Sequence, residues 1–347
     1  MKIAILSPIT WRTPPLKYGP WEQVTSNIAE GMVEKGLEVT LFATGDSITK
    51  GELSSVCERP SGEDTTIDTK VAECLHISHL MEQADNFDII HNNFDFLPLT
   101  YSRLIKTPMV TTIHGFSSPK IIPVYKKYNN STHYVSISNS DRNTELKYIA
   151  TVYNGININE FIFSREPEDY LLFFGRIHPD KGTYEAIEIA KITKRKLIIS
   201  GLIQDQEYFN HKIQPYINND DIVYVGNSGP KDRLTLLSRA CALLHPIGFP
   251  EPFGLSVVEA MACGTPVIAF NLGSMQELIL HEKTGFLVSN TDEAIEAVKS
   301  ISSINRSKCT EWVSSMFSRQ KMVEEYLKIQ QSPYQDRRHQ HPDRIRQ

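Results

Sequence analysis

Glu251 and Glu259 stand eight residues apart in the segment PEPFGLSVVEAMACGTPVIA (250–269), with Gly254 between them. A helix that starts at this glycine leaves free backbone N–H groups at the carboxyl end of a strand, which is an anion site by geometry and dipole. Glu259, about two turns into the helix on a face with Ser256 and Cys263, could bind two neighbouring hydroxyls such as a ribose offers. Glu251, in the loop, could bind sugar hydroxyls. The alternative is a capped helix with two solvated acids; the surrounding Gly, Pro and small residues favour binding. In FGRIHPDKG (174–182), Arg176 and Lys181 flank a turn containing Pro179 and Asp180, and Gly182 lets the next helix begin tightly. Two cations there could neutralise a diphosphate.

His114 in TIHG (112–115) ends a strand, where it could hydrogen-bond substrate, act as acid or base, or simply cap a helix. The first loop, 7–21, holds Trp11, Tyr18 and Trp21, with Gly19 just before a helix. Gly19 could admit phosphate close to backbone, and the aromatics could stack on a sugar or pack the loop. Asn154-Gly155 and the loop 91–96 (HNNFDF) are further candidates at strand ends. Several motifs are absent. No Gly-x-Gly-x-x-Gly follows the first strand, no P-loop and no Gly-x-Ser-x-Gly elbow occurs, and no Asp-x-Asp offers paired carboxylates for a metal diphosphate.

Parallel strands alternating with helices must position these residues. Apolar, β-branched runs recur at 3–6, 39–42, 88–91, 109–113, 134–137 and 151–153, then at 171–174, 196–200, 222–225, 242–245, 266–270 and 285–288. They are nearly continuous, as strands buried on both faces read. Helical periodicity fills 21–35, 183–193, 256–263 and 292–301. The charged, proline-containing stretch 163–169 separates the two series. The expected organisation is a Rossmann-like domain at 1–165, a second that begins at 166, and a disordered tail at 332–347. The tail contains four Arg, two Asp and two His among its polar residues.

The chain has 347 residues, 36 Lys and Arg against 41 Asp and Glu, and a formal net charge of -5. That balance argues against nucleic-acid binding through phosphate neutralisation. No apolar run nears the ~18 residues of a spanning helix, so no stable membrane insertion is expected. Five scattered cysteines without a Cys-x-x-Cys pair argue against a disulfide framework or zinc knuckle and for a reducing cytoplasm.

The ordered set resembles the glycosyltransferases of family 4, with the GT-B fold of two doubly wound parallel-sheet α/β domains facing across a cleft. The matching pieces are the Gly19 loop, His114 in TIHG, Asn154-Gly155, Phe-Phe-Gly-Arg176, Asp-Lys181-Gly, Glu251-x7-Glu259, and the run 251–270 with 273–277 and TGFLV (284–288). The resemblance spans residues 1 to about 330 and implies an acceptor-binding domain at 1–165, a donor-binding domain at 166–318 and a C-terminal helix at 319–331 that crosses back to the first domain. It implies retaining transfer of a hexose from a nucleotide sugar, UDP-glucose or GDP-mannose in type, to a small-molecule or glycan acceptor, with no metal. Arg176 and Lys181 would stabilise the departing diphosphate, and Glu259 would bind the ribose. Glu251, with the backbone of Phe253, Gly254 and Leu255, would hold the donor sugar. His114 would sit near the reacting sugar, and Gly19 and Asn154 would complete the donor site. The sequence Tyr18-Gly19-Pro20 departs from the two consecutive glycines of many relatives. A nucleotide-sugar epimerase on the same fold and a non-catalytic nucleotide-sugar-binding protein are the alternatives; the retained charged residues argue against the second.

Overall fold

The computed structural model describes residues 1–116 and 118–340. Two parallel sheets organise it. Strands β1 (Lys2–Leu6), β2 (Glu38–Phe42), β3 (Glu52–Ser54), β4 (Ile89–Asn92), β5 (Met109–Ile113), β6 (His133–Ser136) and β7 (Tyr148–Thr151) form a sheet ordered β3-β2-β1-β4-β5-β6-β7. Strands β8 (Tyr170–Phe174), β9 (Lys196–Ser200), β10 (Ile222–Tyr224), β11 (Ala242–His245), β12 (Val267–Phe270) and β13 (Gly285–Val288) form the second, ordered β10-β9-β8-β11-β12-β13. In each sheet the order reverses beside the first strand, between β1 and β4 and between β8 and β11. A crevice opens at that switch point, beyond the strands' carboxyl ends.

The central strands are buried on both faces, as their continuous apolar runs require: every residue of β5 and β11 is buried. Helices α1 (Pro20–Glu34), α2 (Thr69–Met81) and α3 (Ile122–Tyr128) accompany the first sheet. The second carries α4 (Thr183–Thr193), α5 (Gln206–Tyr208), α6 (Pro230–Arg239), α7 (Leu255–Ala262), α8 (Met275–Leu278), α9 (Thr291–Ser300) and α10 (Arg306–Met316). Helix α11 (Arg319–Gln340) returns to the first unit. Its Met322, Val323 and Tyr326 are buried with Val24, Ile28 and Met32 of α1 and Ile3 and Ile5 of β1. A fully buried apolar side chain of this kind contributes about 1.5–3 kcal/mol. Arg319 bonds Glu34 through Nη2 at 2.8 Å, and the Arg319 N–H donates to the Ile156 carbonyl at 2.7 Å.

Three sequence expectations shift. Strand β3 escapes the apolar pattern because it is a three-residue, partly exposed edge strand. Strand β7 lies at 148–151 rather than 151–153: it pairs β6 across a register shift, and Val152 leaves the ladder to enter the core. The stretch read as a tail from residue 332 is helical as far as Gln340, an extension that its Gln and Arg residues favour by propensity. Residues 341–347 of that expected tail lie outside the described residues. Among the described residues, no helix is long and apolar enough to cross a membrane.

Candidate active site

A cavity of about 320 Å³ lies between the two sheets at their facing carboxyl ends. It is lined by the ten residues to which the resemblance assigns the donor site and the reaction. Gly19, His114 and Asn154 come from the first unit; Arg176, Lys181, Glu251, Phe253, Gly254, Leu255 and Glu259 come from the second.

On the first wall, Gly19 caps α1 at φ 154°, with Pro20 at the first helical position. A Cβ there would lie 2.7 Å from the Pro15 Cβ, so the loop closes tightly on itself. Glu22, in the first turn of α1, accepts from the Trp11 N–H at 3.1 Å and braces this loop. Burial pushes its carboxyl up to about 7. Trp21 stacks on His114, with centroids 5.7 Å apart and planes 29° apart. His114 Nε2 donates to Asn93 Oδ1 at 2.9 Å, and burial pushes its pKa down to about 3. The imidazole is therefore neutral near pH 7. Asn154 is buried, and its Oδ1 has no hydrogen-bond partner.

On the second wall, α7 starts at Gly254, whose φ of 105° suits glycine. Gly254, Leu255 and Ser256 at its start line the cavity, and the first N–H groups of a helix lack intrahelical partners, as an anion site requires. Glu259 is the fifth residue of α7, so it sits just over one turn into the helix, rather than two, because the helix begins at Leu255. It is almost fully buried and lies 3.4 Å from Arg233 Nη1. Burial raises its pKa, while Arg233 opposes that shift. Lys181 and Glu251 form an ion pair through Nζ and Oε2, with 12% and 14% of their side chains exposed. The ammonium also lies 4.7 Å from the Phe249 ring centroid. Burial lowers the Lys181 pKa, and Glu251 acts against that. Arg176 bonds Gln204 Oε1 through Nη1. The two cations do converge on one crevice, but Lys181 is already partnered, because a buried ammonium needs a counter-charge.

The chain matches the Glycosyltransferase Family 4 model over residues 21–160 and the Glycosyl transferases group 1 model over residues 156–316. It belongs to the family 4 glycosyltransferases. It is 25% identical to an uncharacterized glycosyltransferase of Methanocaldococcus jannaschii, over 83% of this chain and 85% of the relative. It is 24% identical to a glycogen synthase of Mycobacterium tuberculosis, over 84% of each chain. Among solved structures, it resembles sucrose-phosphate synthase from Thermosynechococcus elongatus with a TM-score of 0.77, at 18% identity over 97% of this chain and 100% of the other. It also resembles Anabaena HepE in complex with UDP and glucose, with a TM-score of 0.73, at 20% identity over 96% of this chain and 100% of the other. These likenesses are to GT-B folds.

Not every sequence candidate reaches the cavity of this glycosyltransferase. Tyr18 and Trp21 line it, whereas Trp11 packs edge-on against Tyr18. The loop 91–96 does not line it: His91 is buried in β4 and bonded through Nε2 to Thr112 Oγ1 at 2.8 Å. Gly155 lies under α11, where a Cβ would stand 2.6 Å from the Ser318 carbonyl oxygen. The sequence reading missed Arg233, His245 and Phe249, all of which line the cavity. His245 carried a usable signal, since it ends β11 as His114 follows the end of β5. Arg233 lies on a helix with a charged run, and nothing in its spacing marks it. Among the described residues, no group of three or more His, Cys, Asp or Glu side chains is arranged to hold a metal ion.

Proposed function

We propose that this enzyme transfers a hexose, with retention, from a nucleotide sugar of the UDP-glucose or GDP-mannose type to a hydroxyl of a small-molecule or glycan acceptor, in the cytoplasm and without a metal. The observation that carries this reading is the convergence of Arg176, Lys181, Glu251 and Glu259 on one cavity, opposite His114 and Gly19. Its fold neighbour solved with UDP and glucose supports the donor class.

In this reading the diphosphate lies between Arg176, Lys181 and the first N–H groups of α7. Glu259, steadied by Arg233, takes the ribose hydroxyls, and Glu251 takes hydroxyls of the sugar. Breaking the sugar–phosphate bond leaves positive charge on the ring and negative charge on the diphosphate. Fixed cations and N–H groups stabilise that separation, and a metal has no required part. The acceptor oxygen then bonds the anomeric carbon from the face the diphosphate leaves, and a diphosphate oxygen takes the acceptor's proton. His114, held neutral, serves as a hydrogen-bonding group beside the sugar rather than as a proton shuttle at neutral pH. Trp21 and Tyr18 supply aromatic surface on the acceptor side. Closure of the two units over the donor excludes water and limits hydrolysis.

The test is a thermal-shift screen of nucleotide sugars, followed by mass spectrometry of products made from a cell extract. Lys181→Ala is expected to lower kcat by roughly 10²–10³-fold. No stabilisation by any nucleotide sugar, or full transfer by both Lys181→Ala and Glu259→Ala, would overturn the reading. An epimerised sugar formed from donor alone would replace it with the epimerase.

A further inference from the structure

His245 and Lys181 converge on the same oxygen. Lys181 Nζ bonds Glu251 Oε2, and His245 Nε2 stands 3.7 Å from that atom. His245 is 5% exposed and lines the cavity, yet its Nε2 has no hydrogen-bond partner. Native folds rarely leave a buried polar nitrogen unsatisfied without a use for it. The backbones on both sides are pinned. Gly248 N–H donates to the Asp180 carbonyl at 2.7 Å, which ties the loop after His245 to the Lys181 turn. Ser274 N–H donates to the Glu251 carbonyl at 3.0 Å.

A diphosphate arriving at Lys181 competes with Glu251 for one ammonium. If Lys181 turned to it and nothing replaced that contact, Glu251 would be a buried carboxylate beside added negative charge, which is costly. A neutral imidazole carrying its proton on Nε2 can replace the contact without adding charge. The approach from 3.7 Å to an ordinary bond near 2.9 Å is a movement of about 0.8 Å. Burial holds His245 neutral, with its pKa pushed down to about 4 against the opposing pull of Glu251.

We propose that His245 is a positioning residue: it takes over the Glu251 carboxylate when Lys181 turns to the donor diphosphate, and so keeps Glu251 aimed at the donor sugar. This rests on the reading of Lys181 as the diphosphate ligand and Glu251 as the sugar ligand. The exchange releases the cation and fixes the carboxylate in one step, so it couples diphosphate binding to sugar orientation.

A double-mutant cycle tests it. The probes are UDP and GDP, titrated calorimetrically, and whichever of UDP-glucose or GDP-mannose the enzyme turns over. The proteins are the parent chain, His245→Phe, Glu251→Gln and the double variant. His245→Phe is expected to weaken nucleoside-diphosphate binding about 10-fold in the parent, because Lys181 then leaves Glu251 unpartnered. It should also lower kcat by a larger factor than it raises the donor KM. In the Glu251→Gln background the same change should shift binding less than twofold, since no carboxylate remains to be held. His245→Gln, which can present an N–H near the same point, should restore at least half of the lost affinity. Equal losses in both backgrounds, or no loss in either, would overturn the proposal. Should His245→Phe fail to fold, His245→Ala carries the same cycle. Lys181→Ala separates the two ideas: unchanged diphosphate binding by that variant defeats the underlying reading. Weakened binding by it, with additive His245 effects, defeats only the exchange.

Discussion

The hydroxyl of Tyr326 and Oγ1 of Thr112 meet at 2.8 Å across 214 residues of chain. Thr112 lies in β5, two residues before His114, and also contacts His91. Tyr326 belongs to α11, so the C-terminal helix is bonded to the strand that carries a cavity residue. The His91 ring packs 4.7 Å from the Tyr326 ring and closes this buried cluster.

Tyr326→Phe keeps the ring and deletes the bond. The expected loss is about 1–2 kcal/mol of unfolding free energy. Tyr326→Ala also leaves a cavity and should cost about 3–5 kcal/mol. Urea unfolding of the two variants checks the order; parent-like stability of Tyr326→Phe would show that the hydroxyl contributes nothing.

Glu277 in α8 joins the two units. Its carboxylate accepts from Asn139 N–H at 2.8 Å, Ser140 N–H at 2.9 Å and the Tyr153 hydroxyl at 2.8 Å. Partial burial acts to raise its pKa, but these bonds prevail and the net shift is downward. Its contribution is therefore present above the ordinary carboxylate range and is lost as pH falls through the lowered value. Glu277→Ala should loosen the contact between the units, read as a larger radius of gyration by small-angle scattering and faster proteolysis near 139–140. An unchanged radius and cleavage pattern would refute this.

Gly182 turns from the Lys181 loop into α4 with φ 72°, and a Cβ there would fall 1.9 Å from the Pro246 carbonyl oxygen. Backbone cannot yield as a flexible side chain can. Gly182→Ala should cost roughly 2–4 kcal/mol and weaken donor binding, because it pushes the Lys181 turn off the loop after His245. Thermal unfolding and donor titration would expose a wrong expectation as a variant with parent-like values.

Four buried histidines set the acid limit. Burial pushes His76 and His245 down to about 4, and His91 and His114 down to about 3. Each stays neutral when folded but takes up a proton on unfolding below the unfolded value of about 6.5, so this stability is lost as pH falls. Glu22 and Asp141, pushed up to about 7 by burial, act in the opposite sense between their unfolded values and 7. Glu259, whose pKa burial also raises, acts in the same sense as Glu22 and Asp141, so the four histidine protons are only partly offset. Unfolding free energy should then fall between about pH 6 and 5, by about 1.4 kcal/mol per pH unit for each net proton taken up. Urea titrations at those pH values measure it; stability that holds level or rises on acidification would contradict the balance.

The sequence by itself determined the two sheets and the charged and glycine-turn residues of the cavity that the motifs mark. Central parallel strands are buried on both faces, so they must be written as continuous apolar runs, and β5 and β11 were legible for that reason. Helix starts at Gly19, Gly182 and Gly254 were legible because those turns need glycine. Position at a strand's carboxyl end then singled out His114, Arg176 and Glu251. Tertiary structure decided what periodicity does not encode. The edge strand β3 has no apolar face to betray it. Arg233 and Glu259 are 26 positions apart, and Lys181 and Glu251 are 70 apart; only the folded crevice makes them partners. The apparent cationic pair Arg176 and Lys181 became one ion pair and one amide-bonded guanidinium, because burial demands a local counter-charge. His245 was visible as a strand end, but its approach to the oxygen that Lys181 holds arises only when β8 and β11 lie side by side.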